Sequence, residues 1–517
     1  MQIQNNPCPP DAPAGTNWQM ENHTYPTPYP FQLAGAGFLA DSAPVALLAD
    51  EMGVGKTAQA IWAADIISAR RILVLCPSIA RINWKREFEK FQRMHRSVVV
   101  IKNGKDFSKL DQADVVIASY DLVARNPVKL DGLEWDAVIL DEAHYLKNPE
   151  AKRTKVIYGQ KCNNDGIIRN AKRVFLLTGT PAPNNPAELY THAHAFWPYA
   201  IPMANADYWD FADTYSYVIQ LPNGGVKISG ARNLDKLREA LSPFVLRRTK
   251  AEVLPDMPEM RLATYTLEAN HIPKEVHDLE KSESLKNIGV MLSDVAASEI
   301  SNRTQVSGQL AEWRRLTEIA KVPLVVELLK EELGMNKIVI FHHHREAGDM
   351  LMEGLEEFNP VRITGGQTPT SRQAAIDAFQ TDPNTRVVVA SIQAASTAIT
   401  LTAASDAVFL SADWNPANNA QAMQRIHRIG QNKSVLIRFF ALAGSVDELV
   451  QKTLLQKTEA ISELFHQTVY KETEHGYRPG LERALRESRR VGFTTNPPAI
   501  APHTRTSELG AQSLRAG

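Results

Sequence analysis

The segment LLADEMGVGKTAQAI (residues 47–61) places Lys56 and Thr57 directly after a turn that contains Gly53 and Gly55. A phosphate cradle needs these residue types. Glycines let backbone N–H groups converge on the anion, a lysine meets the terminal phosphates, and a hydroxyl helps hold Mg2+. The alternative is a Gly-Lys-Thr start to an ordinary helix, and the usual spacing has glycine where this chain has Asp50. A second segment, WDAVILDEAH (residues 135–144), weighs against that alternative. Asp141 ends its apolar run, where a carboxylate can hold magnesium, directly or through water, opposite the Thr57 hydroxyl. Glu142 beside it is suited to orient and deprotonate an attacking water. Together the two segments point to nucleotide hydrolysis.

Three further groups have chemistry to offer. Gln32, in YPFQLAGAGFLA, lies among aromatics ahead of the loop, where an amide can read the edge of adenine; a surface helix residue is the competing reading. Arg425 and Arg428 in QRIHRIGQ (residues 424–431) are three apart, which on a helix puts both guanidiniums on one face. Such a pair can hold phosphate oxygens in a transition state, or it can be a solvated basic face. Arg247 lies in the basic cluster VLRRTK (residues 245–250), open to either a phosphate contact or the exposed end of a helical segment. HHHR (residues 342–345) is read as a strand end, since adjacent histidines cannot all face one metal.

These residues need a scaffold, and the hydrophobic pattern supplies one. RILVLCP, DVVIASY, WDAVILDEAH and RVFLLTGTP are near-continuous apolar runs separated by helical stretches, the pattern of buried parallel strands. A second series follows in KIVIFHHH, PVRITGG, RVVVASI, DAVFLSADW and SVLIRFFAL. The fold class is therefore α/β, two parallel-sheet lobes with a helical insertion, and chemistry is expected at the strand C-terminal ends. The expected division is a loosely packed segment over residues 1–24, a first lobe over 25–185, and a helical region over 186–335. A second lobe over 336–445, a C-terminal helical brace over 446–470 and a flexible tail over 471–517 complete it.

Bulk properties exclude little but set the setting. A chain of 517 residues is too long for one core. Its 44% hydrophobic and 22% charged residues are ordinary for a globular protein, and a formal net charge of −1 means that any nucleic-acid site must be a local groove. Three scattered cysteines without a CxxC pair fit a reducing compartment and speak against a zinc module. No long apolar span and no signal-peptide pattern are visible, so no membrane partner and a cytoplasmic location are expected.

ADEMGVGKT, LDEAH, LLTGTPAPNNPAELY, LRRTKAEVLPDMP and DWNPANNAQAMQRIHRIGQ, in that order, resemble the Swi/Snf family of DNA-dependent ATPases in helicase superfamily two. Asp50 matches that family's ADEMG form. The resemblance covers residues 25–465 and is nearest the branch of annealing helicases with their bacterial and viral relatives, so a bacterial or virus-infected cell is the expected source. It implies two RecA-like lobes with ATP and Mg2+ between them, double-stranded DNA held across both, and a monomer. It further implies that Lys56 and Thr57 bind phosphate and metal, Asp141 the metal and Glu142 the water. Arg425 and Arg428 reach the γ-phosphate from the facing lobe. By the same resemblance Ser78, Ser119 and Ser391 contact the DNA backbone and Trp414 meets a strand; a cap for each serine and a core position for the tryptophan are the alternatives. Gln424 stands where an acidic residue is common, and AASTAITLTAA (residues 394–404) lacks the family's glycines. The function implied is ATP-driven translocation on duplex DNA; a strand-separating helicase on DNA or RNA and an ATP-gated DNA clamp with little turnover are the competing readings.

Overall fold

The structure is a computed structural model that describes residues 26–42, 44–182, 185–220, 225–267, 272–281, 307–332, 336–395, 399–414 and 416–454. In chain order the first nine strands are β1 (Val45–Leu48), β2 (Ile72–Cys76), β3 (Val98–Val100), β4 (Val115–Ser119), β5 (Ala137–Asp141), β6 (Val174–Leu177), β7 (Tyr217–Gln220), β8 (Val226–Ser229) and β9 (Val245–Leu246). Six more follow: β10 (Met260–Leu267), β11 (Ile338–His342), β12 (Val361–Ile363), β13 (Val387–Ser391), β14 (Asp406–Phe409) and β15 (Val435–Leu442). They form a seven-stranded sheet ordered β3-β4-β2-β5-β6-β1-β9, a six-stranded sheet ordered β10-β15-β14-β11-β13-β12, and an antiparallel hairpin of β7 and β8. Every pairing in the two large sheets is parallel.

The apolar runs become central strands because both of their faces are covered. Along β2, Leu73 and Leu75 enter one core while Ile72, Val74 and Cys76 enter the core on the opposite face. In β11, Val339 and Phe341 likewise face away from Ile338 and Ile340. Period-two alternation of uniformly apolar residues thus builds two cores per sheet. Parallel pairing also puts all the strand C-termini of a sheet along one edge, where the loops carrying polar residues emerge.

The expected helical region over 186–335 divides differently. Its β9 is the seventh strand of the first sheet, beside β1, and its β10 pairs with β15 in the second. The first lobe therefore runs well past residue 185. The reason is visible in the strands: β9 has only two residues, and β10 is an edge strand in which Arg261, Thr264, Tyr265 and Thr266 are exposed. Neither presents the long apolar run of a buried strand. The 26-residue helix Ser307–Glu332 belongs to the second lobe, with Val322, Val325 and Leu329 in the same core as Ile338 and Ile340. Among the described residues no helix is long and apolar enough to cross a membrane.

Candidate functional site

The order β5-β6-β1 brings three loops side by side: the glycine loop after β1, Asp141 and Glu142 at the end of β5, and Thr178–Thr180 after β6. Gly53 and Gly55 have φ of +88° and +82°, a left-handed backbone that side-chain-bearing residues adopt only at a cost. Gly55 caps the helix Lys56–Ile66, which points Lys56 and Thr57 from its first turn. A Cβ on Gly179, in the third loop, would lie 2.4 Å from Met52 Cγ, so glycine is what lets that loop close on the first.

Lys56 Nζ donates to the carbonyl oxygens of Asp50 at 2.7 Å and Glu51 at 3.1 Å, which holds it inside the loop. Burial lowers its pKa, opposed by the charges of Glu142, Asp50 and Asp141. Asp141 is fixed at both oxygens: the Trp84 indole donates to one at 2.8 Å, and the Glu142 N–H donates to the other at 3.0 Å. Burial and the neighbouring Glu142 charge push Asp141 up, while Trp84 and Lys56 oppose them. Burial also works against the Glu142 carboxylate, but the nearby His144 ring and the charges of Lys56 and Arg425 outweigh it and hold Glu142 low. Of the two carboxylates, Glu142 keeps its charge to the lower pH, which suits a residue that accepts a proton or orients a water. Glu142 has φ of +51°, its buried Oε2 makes no hydrogen bond, and His144 Nδ1 lies 3.3 Å from it. His144 Nδ1 also pairs with Thr178 Oγ1 at 3.1 Å, linking the second loop to the third. Glu142 Oε2, buried without a hydrogen bond, is an acceptor that the water shell of a divalent cation would satisfy.

The second lobe closes this edge. The Ile429 N–H donates to the Gly53 carbonyl at 3.1 Å, and a Cβ on Gly53 would lie 2.8 Å from Arg428 Cβ. Arg425 and Arg428 do not share one helical face as the spacing predicts. The helix ends at Met423, and both arginines lie in tight turns beyond it. These turns are held from outside, with Gln431 Nε2 donating to the carbonyls of Ile426 and Ala404. Arg425 is buried against the first lobe; burial pulls its pKa down to about 10, with Glu142 and Asp141 opposing, so it stays charged at neutral pH. Arg428 Nη1 donates to the Ile399 carbonyl at 3.1 Å, and its charge faces Glu87.

The other expected residues have these places in the fold. The Asp50 carboxylate is fully buried and ion-paired with Arg248 at 2.5 Å, so its side chain braces the loop and is not turned to a cofactor. Gln32 accepts the Tyr29 N–H at 3.0 Å and donates to the Val54 carbonyl at 3.1 Å; it touches the glycine loop through these bonds. Arg247, expected on DNA, donates through Nη1 to the carbonyls of Ala49 at 2.8 Å and Gly179 at 3.2 Å, tying the first loop to the third. Ser78 is exposed just beyond β2, Ser119 is buried at the end of β4, and Ser391 is half-buried at the end of β13. Trp414 packs on the second core with the Arg314 guanidinium 5.0 Å from its ring centre. Trp84, Arg248 and Lys250 are site residues that motif reading passes over. Trp84 carries no local signal beyond the apolar stripe of its helix. Lys250 is preceded by Thr249, whose bond with the Glu252 N–H is a capping signature for a short helix.

The SNF2-related domain model matches residues 14–318, and the helicase conserved C-terminal domain model matches residues 320–430. The chain belongs to the SNF2-related family. Its similar proteins include the SWI/SNF-related matrix-associated actin-dependent regulator of chromatin subfamily A-like protein 1 of Xenopus tropicalis, 31% identical over 84% of this chain and 44% of that one. The DNA annealing helicase and endonuclease ZRANB3 of Homo sapiens is 29% identical over 94% of this chain and 44% of its own length. The SNF2-related chain thus spans about half the length of these curated relatives. Among solved structures, the Sulfolobus solfataricus SWI2/SNF2 ATPase core in complex with dsDNA matches with a TM-score of 0.39 at 22% identity, over 86% of this chain and 95% of that one. Both parallel sheets are those expected of an SNF2 core with two RecA-like lobes.

Proposed function

We propose that this SNF2-related chain is a DNA-dependent ATPase that couples ATP hydrolysis to movement along double-stranded DNA. One observation carries the reading. The arginine-bearing turns of the second lobe contact the glycine loop of the first, and there Glu142 and the buried Arg425, from different lobes, feel one another's charge. A site divided in this way works only when the lobes close, which makes hydrolysis a reporter of lobe movement.

In this reading Lys56 and the backbone N–H groups of the loop hold the ATP phosphates, and Thr57 with Asp141 holds Mg2+, which supplies charge neutralisation on the phosphate oxygens. Glu142 accepts the proton of the attacking water, and Arg425 answers the negative charge that builds on the γ-phosphate. Arg247 and the His144–Thr178 pair tie the three loops into one unit, so that a change at the phosphates is felt at the lobe interface. Ser78, Ser119, Ser391 and Trp414 sit at or just beyond strand C-termini, the edge on which a duplex backbone would lie. Phosphate-dominated contact would make binding tolerant of sequence and sensitive to salt. The human relative named an annealing helicase supports a DNA substrate for this chain.

The test is phosphate release with blunt duplex, forked, single-stranded and RNA ligands, together with displacement of a third strand from a triplex. Strong stimulation by blunt duplex, third-strand displacement and little unwinding of a tailed duplex are expected. Efficient separation of the tailed duplex, with single strands or RNA stimulating more than duplex, would replace translocation by the helicase reading. DNA binding without turnover would leave a clamp.

A further inference from the structure

Lys250 follows β9 in the first lobe and is 5% exposed. Its Nζ reaches across the lobe boundary to Gln424 Oε1, with which it is in close contact, and to the His427 carbonyl at 2.5 Å. Its Cε would be 3.2 Å from a Cβ on Gly53, so the aliphatic stem lies on the glycine loop. Its N–H donates to Glu51 Oε2 at 2.7 Å. One side chain therefore touches the phosphate loop through its stem and the arginine-bearing turns through its head. Those turns carry Arg425 and Arg428 outside any regular helix, so their placement depends on contacts of this kind.

We infer that Lys250 is a positioning residue that fastens the arginine-bearing turns of the second lobe to the glycine loop of the first, setting Arg425 and Arg428 for the reaction. The inference rests on the ATPase reading above for its catalytic consequence, but the fastening itself is a property of the two lobes. Gln424 gives the contact its character. A neutral amide accepts from the ammonium without forming a locked ion pair, and among the described residues the ion-pair partner of the ammonium is Glu51, 3.8 Å away. The charges of Arg428, Lys56 and Arg425 all disfavour the ammonium, as does burial, which is the largest effect; Lys250 is brought down to about 7. His427, whose Nδ1 is 3.4 Å from Nζ, adds a titratable neighbour held low by its own burial and by Lys250. The protonated fraction of Lys250 falls as pH rises through about 7, so the fastening should weaken on the alkaline side.

The experiment uses the full chain with Cys8→Ser and dyes placed at Val128→Cys in the first lobe and Arg345→Cys in the second, both exposed positions. Single-molecule energy transfer is recorded without nucleotide, and ATP turnover is recorded in parallel with duplex DNA. Lys250→Met should shift the distance distribution toward separated lobes and lower kcat ~10-fold, a typical size for a coupling contact, with the KM for ATP within about two-fold. Gln424→Glu, which gives the ammonium a carboxylate partner, should move the alkaline fall of kcat to higher pH. An unchanged distance distribution in Lys250→Met, or an unmoved pH profile in Gln424→Glu, overturns the inference. A wild-type chain with no ATP turnover overturns the functional reading alone, and the distance distributions still decide the role of Lys250.

Discussion

The two sides of the candidate cleft are built by different means. On the first-lobe side every reacting group stands at the end of a regular element: Lys56 on a helix N-terminus, and Asp141 and Glu142 at the end of a strand buried on both faces. On the second-lobe side Arg425 and Arg428 lie in turns past a helix end, held by Gln431 and by Lys250 from the opposite lobe. A cradle that must hold phosphates in one geometry is suited to rigid elements, because misplacement by an ångström is costly. A finger that must arrive and leave with lobe closure is suited to turns whose order depends on the partner. The difference teaches that the first lobe carries the pocket and the second carries the timing.

Breaking the cradle should have the largest effect. Lys56→Ala removes the main counter-charge for the phosphates and should abolish both ATP binding and hydrolysis. Glu142→Gln should retain ATP and reduce turnover by a factor of ~1000, within the range for loss of a general base. Equilibrium binding of a fluorescent ATP analogue beside phosphate release separates the two variants, and near wild-type turnover in Glu142→Gln would reject the assignment of Glu142.

Next in size is the brace beneath the cradle. Arg248→Ala leaves the Asp50 carboxylate, fully buried, without its ion-pair partner. Removing one member of a buried pair typically costs ~3–5 kcal/mol. Urea unfolding should register that loss in the first lobe, and the double change Arg248→Met with Asp50→Leu should recover much of it. The comparison makes this a cradle-specific liability.

Across the cleft the effects should be smaller and confined to turnover. Arg425→Ala should lower kcat by ~100-fold with little change in ATP affinity, because its contact strengthens as the lobes close on the transition state. Arg428→Ala should cost less, ~10-fold, since its guanidinium faces Glu87 and the Ile399 carbonyl while Arg425 faces Glu142. Steady-state kinetics on both variants sharpens the division of labour. A loss confined to KM in Arg425→Ala would remove the finger role.

The same contrast explains what could be read from residue order. Long apolar runs such as ILVLC in β2 and VVVAS in β13 declare themselves because both faces are buried. VL in β9 and MRLATYTL in β10 do not, being two residues long in one case and a largely exposed edge in the other, so the apolar pattern ends the first lobe short of β9. Within the site, Lys56 and Glu142 are legible because glycine spacing and an apolar strand fix them locally. The roles of Arg247 and Lys250 are not local. Each depends on where β9 docks, since Arg247 reaches carbonyls roughly 70 and 200 residues away in sequence and Lys250 reaches Gln424. From its sequence VLRRTK is open to a phosphate contact or to an exposed helical end; docked beside β1, it supplies Arg247 and Arg248 to the loop and Lys250 to the cleft. The arginine spacing in QRIHRIGQ misleads for the reverse reason, because a helical pattern is overridden by side-chain bonds to neighbouring carbonyls.

The smallest effect should come from an exposed charge link between the lobes. Arg86 of the helix Arg81–Phe91 makes two 3.0 Å bonds to Asp377 of the helix Pro369–Thr381. Its geometry is better than that of Lys250, yet the two side chains are 47% and 48% exposed. Water and salt screen such a pair, and holding two long side chains in one arrangement costs entropy, so its contribution is ~0.2–1 kcal/mol at most. Arg86→Ala should therefore change turnover by less than about two-fold at physiological salt and only modestly more in dilute buffer, where screening is weaker. The measurement is kcat across a salt series for Arg86→Ala and Lys250→Met side by side. If Arg86→Ala matched Lys250→Met, lobe apposition would be governed by exposed charge and not by the buried fastening, and the contrast between a rigid cradle and a positioned finger would have to be redrawn around the outer helices.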